Sequence, residues 1–379
     1  MTYEKIVDWL YNQLPVYQRD GIFKYKLDLS AITSVCIYLD NPQLKFSSVH
    51  VAGTNGKGSS SHMLSSVFQE AGLKVGLYTS PHLLDFRERI KINGRKIKKN
   101  DVIKFVCDHK VFFEENKISF FEMTVAMAFD YFSKSNVDLA IIETGMGGRL
   151  DATNIIQPIL SLITNVGLDH QQYLGQSLRE IAVEKAGIFK KNIPVVISEY
   201  QKEIEDIFIE KAQNLSTKIY YARKQKICNK TDLKGNYQLK NLNGVIKCIS
   251  KLKQFNISDD NIKIGLNNIK KNTGLKGRWE IYSNNPLTIM DVGHNYDAFK
   301  YIVIELCKIN FDKLIAILSF TKGKDYKKII NEFPKFTSFY FCDLKSDRSE
   351  NMGKIYNYAL SNKMDCKYFD NINQGYKKA

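Results

Sequence analysis

Val49-His50-Val51-Ala52-Gly53-Thr54-Asn55-Gly56-Lys57-Gly58-Ser59-Ser60-Ser61-His62 is the stretch from which the fold of this chain is read. A short β-branched run enters a glycine-rich turn carrying one lysine, and Met63, Leu64, Val67, Phe68 and Ala71 follow at helical spacing. The order is strand, phosphate loop, amphipathic helix. Gly53, Gly56 and Gly58 lack a Cβ, so the backbone can curl and aim N–H groups at a polyphosphate lying at the helix N-terminus. Lys57 would set a positive charge beside the terminal phosphates, and Ser59 would offer a hydroxyl to magnesium. Gly72 ends the helix and Lys74 to Thr79 restarts a strand, which completes a βαβ unit. The loop is shorter than the general pattern, and Gly58 stands where Ser or Thr usually follows the lysine.

Outward from this unit, Pro81 takes Thr79-Ser80-Pro81-His82 out of the sheet at the strand's carboxyl end, the edge where ligands sit in open α/β sheets. Ile92-Asn93-Gly94-Arg95 is a hairpin signal, and helices are expected over Asp101–Asn116 and Glu122–Lys134. Val137 to Glu143 reads as a strand buried on both faces, ending in a carboxylate well placed to hold magnesium. Ile159 to Val166 is another buried strand, delivering Asp169 and His170 to the same edge. Ser177 and Glu180 form a capping box for a helix over Leu178–Phe189, inside which Glu184 and Lys185 read as an exposed charged pair. Pro194 to Ser198 adds a strand. This alternation specifies a doubly wound, mainly parallel α/β sheet.

Ahead of this core, residues 1 to 45 read as two helices flanking a loop at Tyr17–Gly21. Beyond it, Gly235 to Asn241 opens a helix with apolar Leu239, Leu242, Val245, Ile246 and Ile249. Gln238 and Asn241 lie on one side of it, and their amides could match an adenine edge. A linker at Lys270–Gly277 then divides the chain into domains 1–272 and 273–379, the second a smaller α/β domain with a turn at Asn284-Asn285-Pro286, a helix over Tyr301–Ile309, strands at Leu314–Ser319 and Phe339–Asp343, and a lysine-rich helix near Asp325.

Two domains suit 379 residues, and 44% hydrophobic with 25% charged residues is the composition of a globular protein. No apolar run is long enough to span a bilayer and the N-terminus has no signal-peptide pattern, so a cytoplasmic location with no membrane partner is expected. Seven dispersed cysteines, Cys36, Cys107, Cys228, Cys248, Cys307, Cys342 and Cys366, argue for reduced thiols and against a zinc site. The net charge of +15 is spread through lysines in nearly every segment, so it reads as a compositional bias and no nucleic-acid partner is expected.

Six separated motifs now coincide in one order: Gly53-Thr54-Asn55-Gly56-Lys57-Gly58-Ser59; Thr79-Ser80-Pro81-His82-Leu83; Glu143 with Gly147-Gly148-Arg149-Leu150-Asp151-Ala152-Thr153-Asn154; Leu168-Asp169-His170; Glu184-Lys185-Ala186-Gly187; and Asp291 to Asn295. With them the chain resembles the dihydrofolate synthase and folylpolyglutamate synthase family of the Mur ligase superfamily, in which the loop with Gly58 before Ser59 is typical. The resemblance implies an ATP-dependent ligase, acting as a monomer, that adds L-glutamate to dihydropteroate or a reduced folate through an acyl phosphate. It implies ATP held by Gly53 to Ser59, Gln238, Asn241, Arg278, Asp291 and His294, the last three closing from the second domain. It implies two Mg2+ ions, with Ser59, Ser80, Glu143 and His170 as ligands, and a carbamylated Lys185 that assists the metal. Lys57, Lys185, His170 and Glu143 would then be catalytic, and Phe121 and Asp151 would meet the pterin end of the acceptor. The segment Lys24–Leu29 lies where the family varies with its acceptor. Tyr296 departs from the proline that commonly follows His-Asn, and the family's final strand with its Gly-Ser pair would follow Tyr376–Ala379, so the second domain is expected to be trimmed, incomplete in this sequence or less stable.

Two rivals are a cell-wall Mur ligase and a basic P-loop ATPase acting on nucleic acid. Gly58, and a loop reached within the first sixty residues, oppose the first. Steeply salt-sensitive nucleic-acid binding would mark the second.

Overall fold

In the computed structural model, residues 2–13, 28–222, 230–346 and 349–379 are described; the loop expected at Tyr17–Gly21, most of the segment Lys24–Leu29, and Cys228 fall outside them. Contacts divide the chain into two compact units, Met1–Asp291 and Val292–Ala379. The break therefore falls after Asp291, beyond the 272/273 division expected from the sequence.

The first unit is built on eight strands: β1 Ser48–Ala52, β2 Val75–Tyr78, β3 Ile90–Ile92, β4 Arg95–Lys96, β5 Leu139–Glu143, β6 Leu160–Ile163, β7 Val195–Ile197 and β8 Ile219–Tyr221. Their order is β4-β3-β2-β5-β1-β6-β7-β8. From β2 to β8 neighbouring strands run parallel, while the hairpin β3–β4 adds an antiparallel edge. Strand β1 sits centrally between β5 and β6, with β2 to β5 on one side of it and β6 to β8 on the other. The loops leaving their carboxyl ends thus face one crevice, where such sheets bind ligands. Strand β8 is an addition to the sequence reading; at three residues it carries too short an alternation to stand out.

Side chains alternate across the sheet. Val49, Val51, Leu139 and Ile141 pack under the helices Lys57–Glu70, Tyr237–Ile249 and Asp259–Asn267, whereas Ala140, Ile142 and Tyr78 face the helices Tyr3–Asn12, Ser30–Tyr38, Lys99–Glu115 and Phe120–Lys134. The helix Lys57–Glu70 is not amphipathic as expected: Gly58 to Phe68 are all buried. Its serines let neighbours approach closely, and Ser66 Oγ donates to the Gly265 carbonyl at 2.6 Å.

Other boundaries move for local reasons. The linker expected at Lys270–Gly277 begins as a helix, Ile269–Thr273, whose Thr273 is buried against His62 and Lys91. The capped helix after Ser177 stops at Ala186, and Leu239, assigned to an apolar face, is exposed. The strands β9 Glu280–Asn284 and β10 Leu287–Met290 form an antiparallel hairpin around the expected turn.

The second unit has a three-stranded parallel sheet, β11 Ile315–Leu318, β12 Ser338–Cys342 and β13 Cys366–Phe369, with β12 central and buried. Its first helix is Tyr296–Leu306, earlier than expected because Asn295 caps it by accepting from the Ala298 amide. The six described cysteines are all free thiols. Among the described residues no helix is long and apolar enough to cross a membrane.

Candidate active site

The turn after β1 needs its glycines. Gly53 and Gly56 have φ of 153° and 85°, and a Cβ on either would overlap Thr164 Oγ1 or Asn241 Oδ1. The loop is fastened from the end of β6: Thr54 N donates to the Asn165 carbonyl and Asn55 N to Asn165 Oδ1, both at 2.9 Å, while Thr164 Oγ1 donates to the Asn55 carbonyl at 2.7 Å. These two amides therefore serve the loop itself, and anion binding falls to the first turn of the helix that starts at Lys57. Asn165 has no general motif to mark it in the sequence.

Two lysines converge on one carbonyl. Lys57 Nζ donates to Gly53 O at 2.9 Å and to Thr54 O at 3.3 Å, and Lys185 Nζ also donates to Gly53 O at 2.9 Å. Lys185 is therefore not part of an exposed pair; it is buried, and Glu184 instead pairs with Arg149 at 2.8 Å. Burial drives the Lys185 amine well below the ordinary lysine range, Lys57 adds to this, and Asp169 and Asp151 oppose it.

The motif from Gly147 to Asn154 is keyed onto the helix end that presents Lys185. Arg149 N donates to Glu184 O at 2.8 Å, and Asn154 Nδ2 donates to the carbonyls of Arg149 and Gly187, each at 3.0 Å. A Cβ on Gly148 would lie 2.7 Å from Glu184 O and 2.9 Å from Lys185 O. Gly148→Ala is expected to destabilise the protein by about 1–3 kcal/mol, read as a lowered urea midpoint, because rigid backbone must shift.

Glu143 ends β5 beside β1 and is buried. Burial raises its carboxyl to about 7 against the pull of Lys57, the Ser80 amide and Arg278. The Ser80 amide donates to Glu143 Oε2 at 3.1 Å, so those two expected metal ligands are neighbours. Gly58 lies against the same group: a Cβ there would stand 3.8 Å from both Glu143 oxygens and 3.4 Å from Arg278 Nη2. His170, with φ of 51°, sits exposed after β6, its ring beside the carboxylate of Asp169. Asp169 stands beside His170 in the Leu168-Asp169-His170 motif, and its carboxylate oxygen is the harder donor of the two.

Asp151 is buried and held by Thr153 N at 3.0 Å, Thr153 Oγ1 at 2.5 Å and Met146 N at 2.8 Å. Burial raises its carboxyl and these bonds oppose the rise. Phe121 lies over Gly145, beside Asp151. Gln238 and Asn241 are buried rather than surface amides. Gln238 Nε2 donates to Ser59 Oγ at 3.2 Å and Asn241 Nδ2 to Gln238 Oε1 at 2.9 Å, so Gln238 braces the phosphate loop. Asp291 accepts from Trp279 N at 2.8 Å and Tyr237 Oη at 3.3 Å, which ties it and the half-buried Arg278 to the first unit. His294 lies in the second unit, its Nδ1 3.2 Å from the Val292 carbonyl oxygen.

The Mur ligase middle domain profile matches residues 51–269, and the Mur ligase glutamate ligase domain profile matches residues 277–379. The chain belongs to the Mur ligase family. Its relatives lie in the dihydrofolate synthase and folylpolyglutamate synthase branch. A dihydrofolate synthase/folylpolyglutamate synthase of Buchnera aphidicola is 32% identical over 86% of this chain and 80% of its own. A probable bifunctional folylpolyglutamate synthase/dihydropteroate synthase of Haloferax volcanii is 31% identical over 86% of this chain, which spans 42% of that protein. A solved complex of FPGS with AMPPCP and folate superimposes with a TM-score of 0.82 at 26% identity, covering 98% of this chain and 97% of its own.

Proposed function

We propose that this chain is an ATP-dependent ligase that joins L-glutamate to dihydropteroate or a reduced folate. The observation that carries the reading is the meeting of Lys57 and Lys185 at Gly53 O, beside the buried Glu143, in a chain whose relatives are dihydrofolate and folylpolyglutamate synthases. A carboxylate is a poor electrophile, so the acid must first be activated. Transfer of the ATP γ-phosphoryl to it gives an acyl phosphate, and the glutamate amine then displaces phosphate. Phosphoryl transfer is governed by positioning and charge, which the Lys57 ammonium and the first-turn amides supply.

The residues fit magnesium. Glu143 is a buried carboxylate at the end of β5, its carboxyl raised to about 7 by burial, and Ser80 stands next to it. Glu143, Ser80, Ser59 and His170 would hold Mg2+, with Asp169 an added oxygen donor and a second ion part of the same reading. The ion, when bound, would neutralise phosphate charge. Asn241, Arg278, Asp291 and His294 are assigned to the nucleotide, and Gln238 to bracing Ser59. Phe121 and Asp151 are assigned to the acceptor. The chain is taken to act as a monomer in the cytoplasm, with the glutamate ligase domain beginning near residue 273, ahead of the break in contacts after Asp291.

Burial disfavours the charged form of Lys185 and so favours the free amine, whose nitrogen can add to carbon dioxide, forming a carbamate anion and releasing a proton. Intact mass spectrometry in bicarbonate is expected to show one such adduct in wild type and none in Lys185→Met. The reading as a whole is tested by ATP-dependent incorporation of labelled glutamate, with dihydropteroate and tetrahydrofolate supplied separately. Incorporation with at least one acceptor, unchanged by added DNA or RNA, is expected. Nucleic-acid-stimulated ATP hydrolysis without incorporation would sink the idea.

A further inference from the structure

His50 lies in the middle of β1, fully buried, on a face otherwise lined by Ala140, Ile142 and Tyr78. Its Nε2 is 2.9 Å from Thr153 Oγ1, and Thr153 Oγ1 is 2.5 Å from Asp151 Oδ1. A carboxylate accepts and does not donate, so the single hydroxyl proton of Thr153 goes to Asp151. The hydroxyl oxygen must then accept from His50, which fixes the imidazole as the Nε2–H tautomer. The remaining nitrogen, Nδ1, is buried with no hydrogen-bond partner among the described residues. Burial, with Lys190, keeps this imidazole neutral by pushing its pKa down to about 3.

A leucine would fill much the same space without an orphaned nitrogen, so packing alone does not account for a histidine here. The N–H group it supplies does. We propose that His50 and Thr153 are positioning residues for acceptor recognition: His50 orients the Thr153 hydroxyl, and that hydroxyl aims and holds the Asp151 carboxylate toward the acceptor. Glu143, Tyr78 and Lys185 are the other ionisable groups that act on Asp151 or respond to it, and none makes this bond. The proposal rests on the reading in which Asp151 meets the acceptor, and it extends that reading to two residues that touch neither substrate.

The test is steady-state glutamate incorporation by wild type, Thr153→Val, Thr153→Ser, His50→Leu and His50→Gln, with acceptor and ATP varied separately and a thermal melt of each. Thr153→Val and His50→Leu are expected to raise the acceptor KM about tenfold or more, leaving the ATP KM within about twofold. Thr153→Ser and His50→Gln, which keep the donor, are expected to stay within about threefold of wild type. His50→Leu should also melt no lower than wild type, the opposite of what loss of a merely structural contact gives. If Thr153→Val does not fold, the two His50 variants decide between the outcomes. Unchanged acceptor KM in His50→Leu, or an ATP KM that rises in step with it, overturns the proposal while leaving the ligase reading standing. A wild type inactive with both acceptors overturns the ligase reading and this proposal with it.

Discussion

Lys57→Ala is expected to lower ATP-dependent glutamate incorporation by at least about 10³-fold, since one full charge is lost where the transferring phosphoryl oxygens need it most. The fold should barely register the change. Lys57 is half-buried and, among the described residues, bonds to carbonyls of its own loop, and Gly53 O, one of the two, keeps its bond from Lys185. Removing the side chain also takes away the positive charge that helps to hold the Lys185 amine below the ordinary lysine range. Chemical denaturation should therefore place the variant within about 1 kcal/mol of wild type. An unfolded variant, or near-normal turnover, would refute the assigned role.

Lys185→Met separates activity from stability in the opposite sense. Activity is expected to fall to background, whereas stability at neutral pH should hold or rise by about 1–4 kcal/mol, because a poorly solvated amine is replaced by an apolar chain of similar length. The pH dependence supplies a check. The amine's pKa is depressed in the fold, so between that value and the roughly 10.4 of an unfolded lysine the unfolded chain binds a proton that the folded chain does not. Wild-type stability should accordingly climb as pH rises through this window. Lys91, buried and lowered to about 8, contributes in the same direction. The variant should keep the Lys91 share and lose the rest, and identical slopes would contradict the placement of Lys185.

The parallel sheet and its ligand edge were legible because Leu139–Ile142 is a continuous apolar run and Ile159–Ile163 nearly so, short and bounded by polar residues or proline, as in strands covered on both faces. The glycines of the phosphate loop were legible for the same local reason, as the observed φ of Gly56 shows. Lys185 was not. Its helix carries Arg179, Glu180 and Glu184 ahead of it, and nothing nearby in sequence announces that Gly148 and Gly187 let a loop close over that helix end. Asn165 and His50 escaped for a related reason: their partners lie 110 and 103 positions away, and periodicity carries no information about such pairings. The helix Lys57–Glu70 misled in the reverse direction, since its serines read as a solvent face yet allow close approach of the helix Asp259–Asn267.

That central helix has no wetted side over most of its length. Its amide protons should be among the last in the protein to trade for deuterium, and the floor of the nucleotide crevice is effectively a fixed datum. Movement that accompanies catalysis must then be sought in segments that do not pack against this helix.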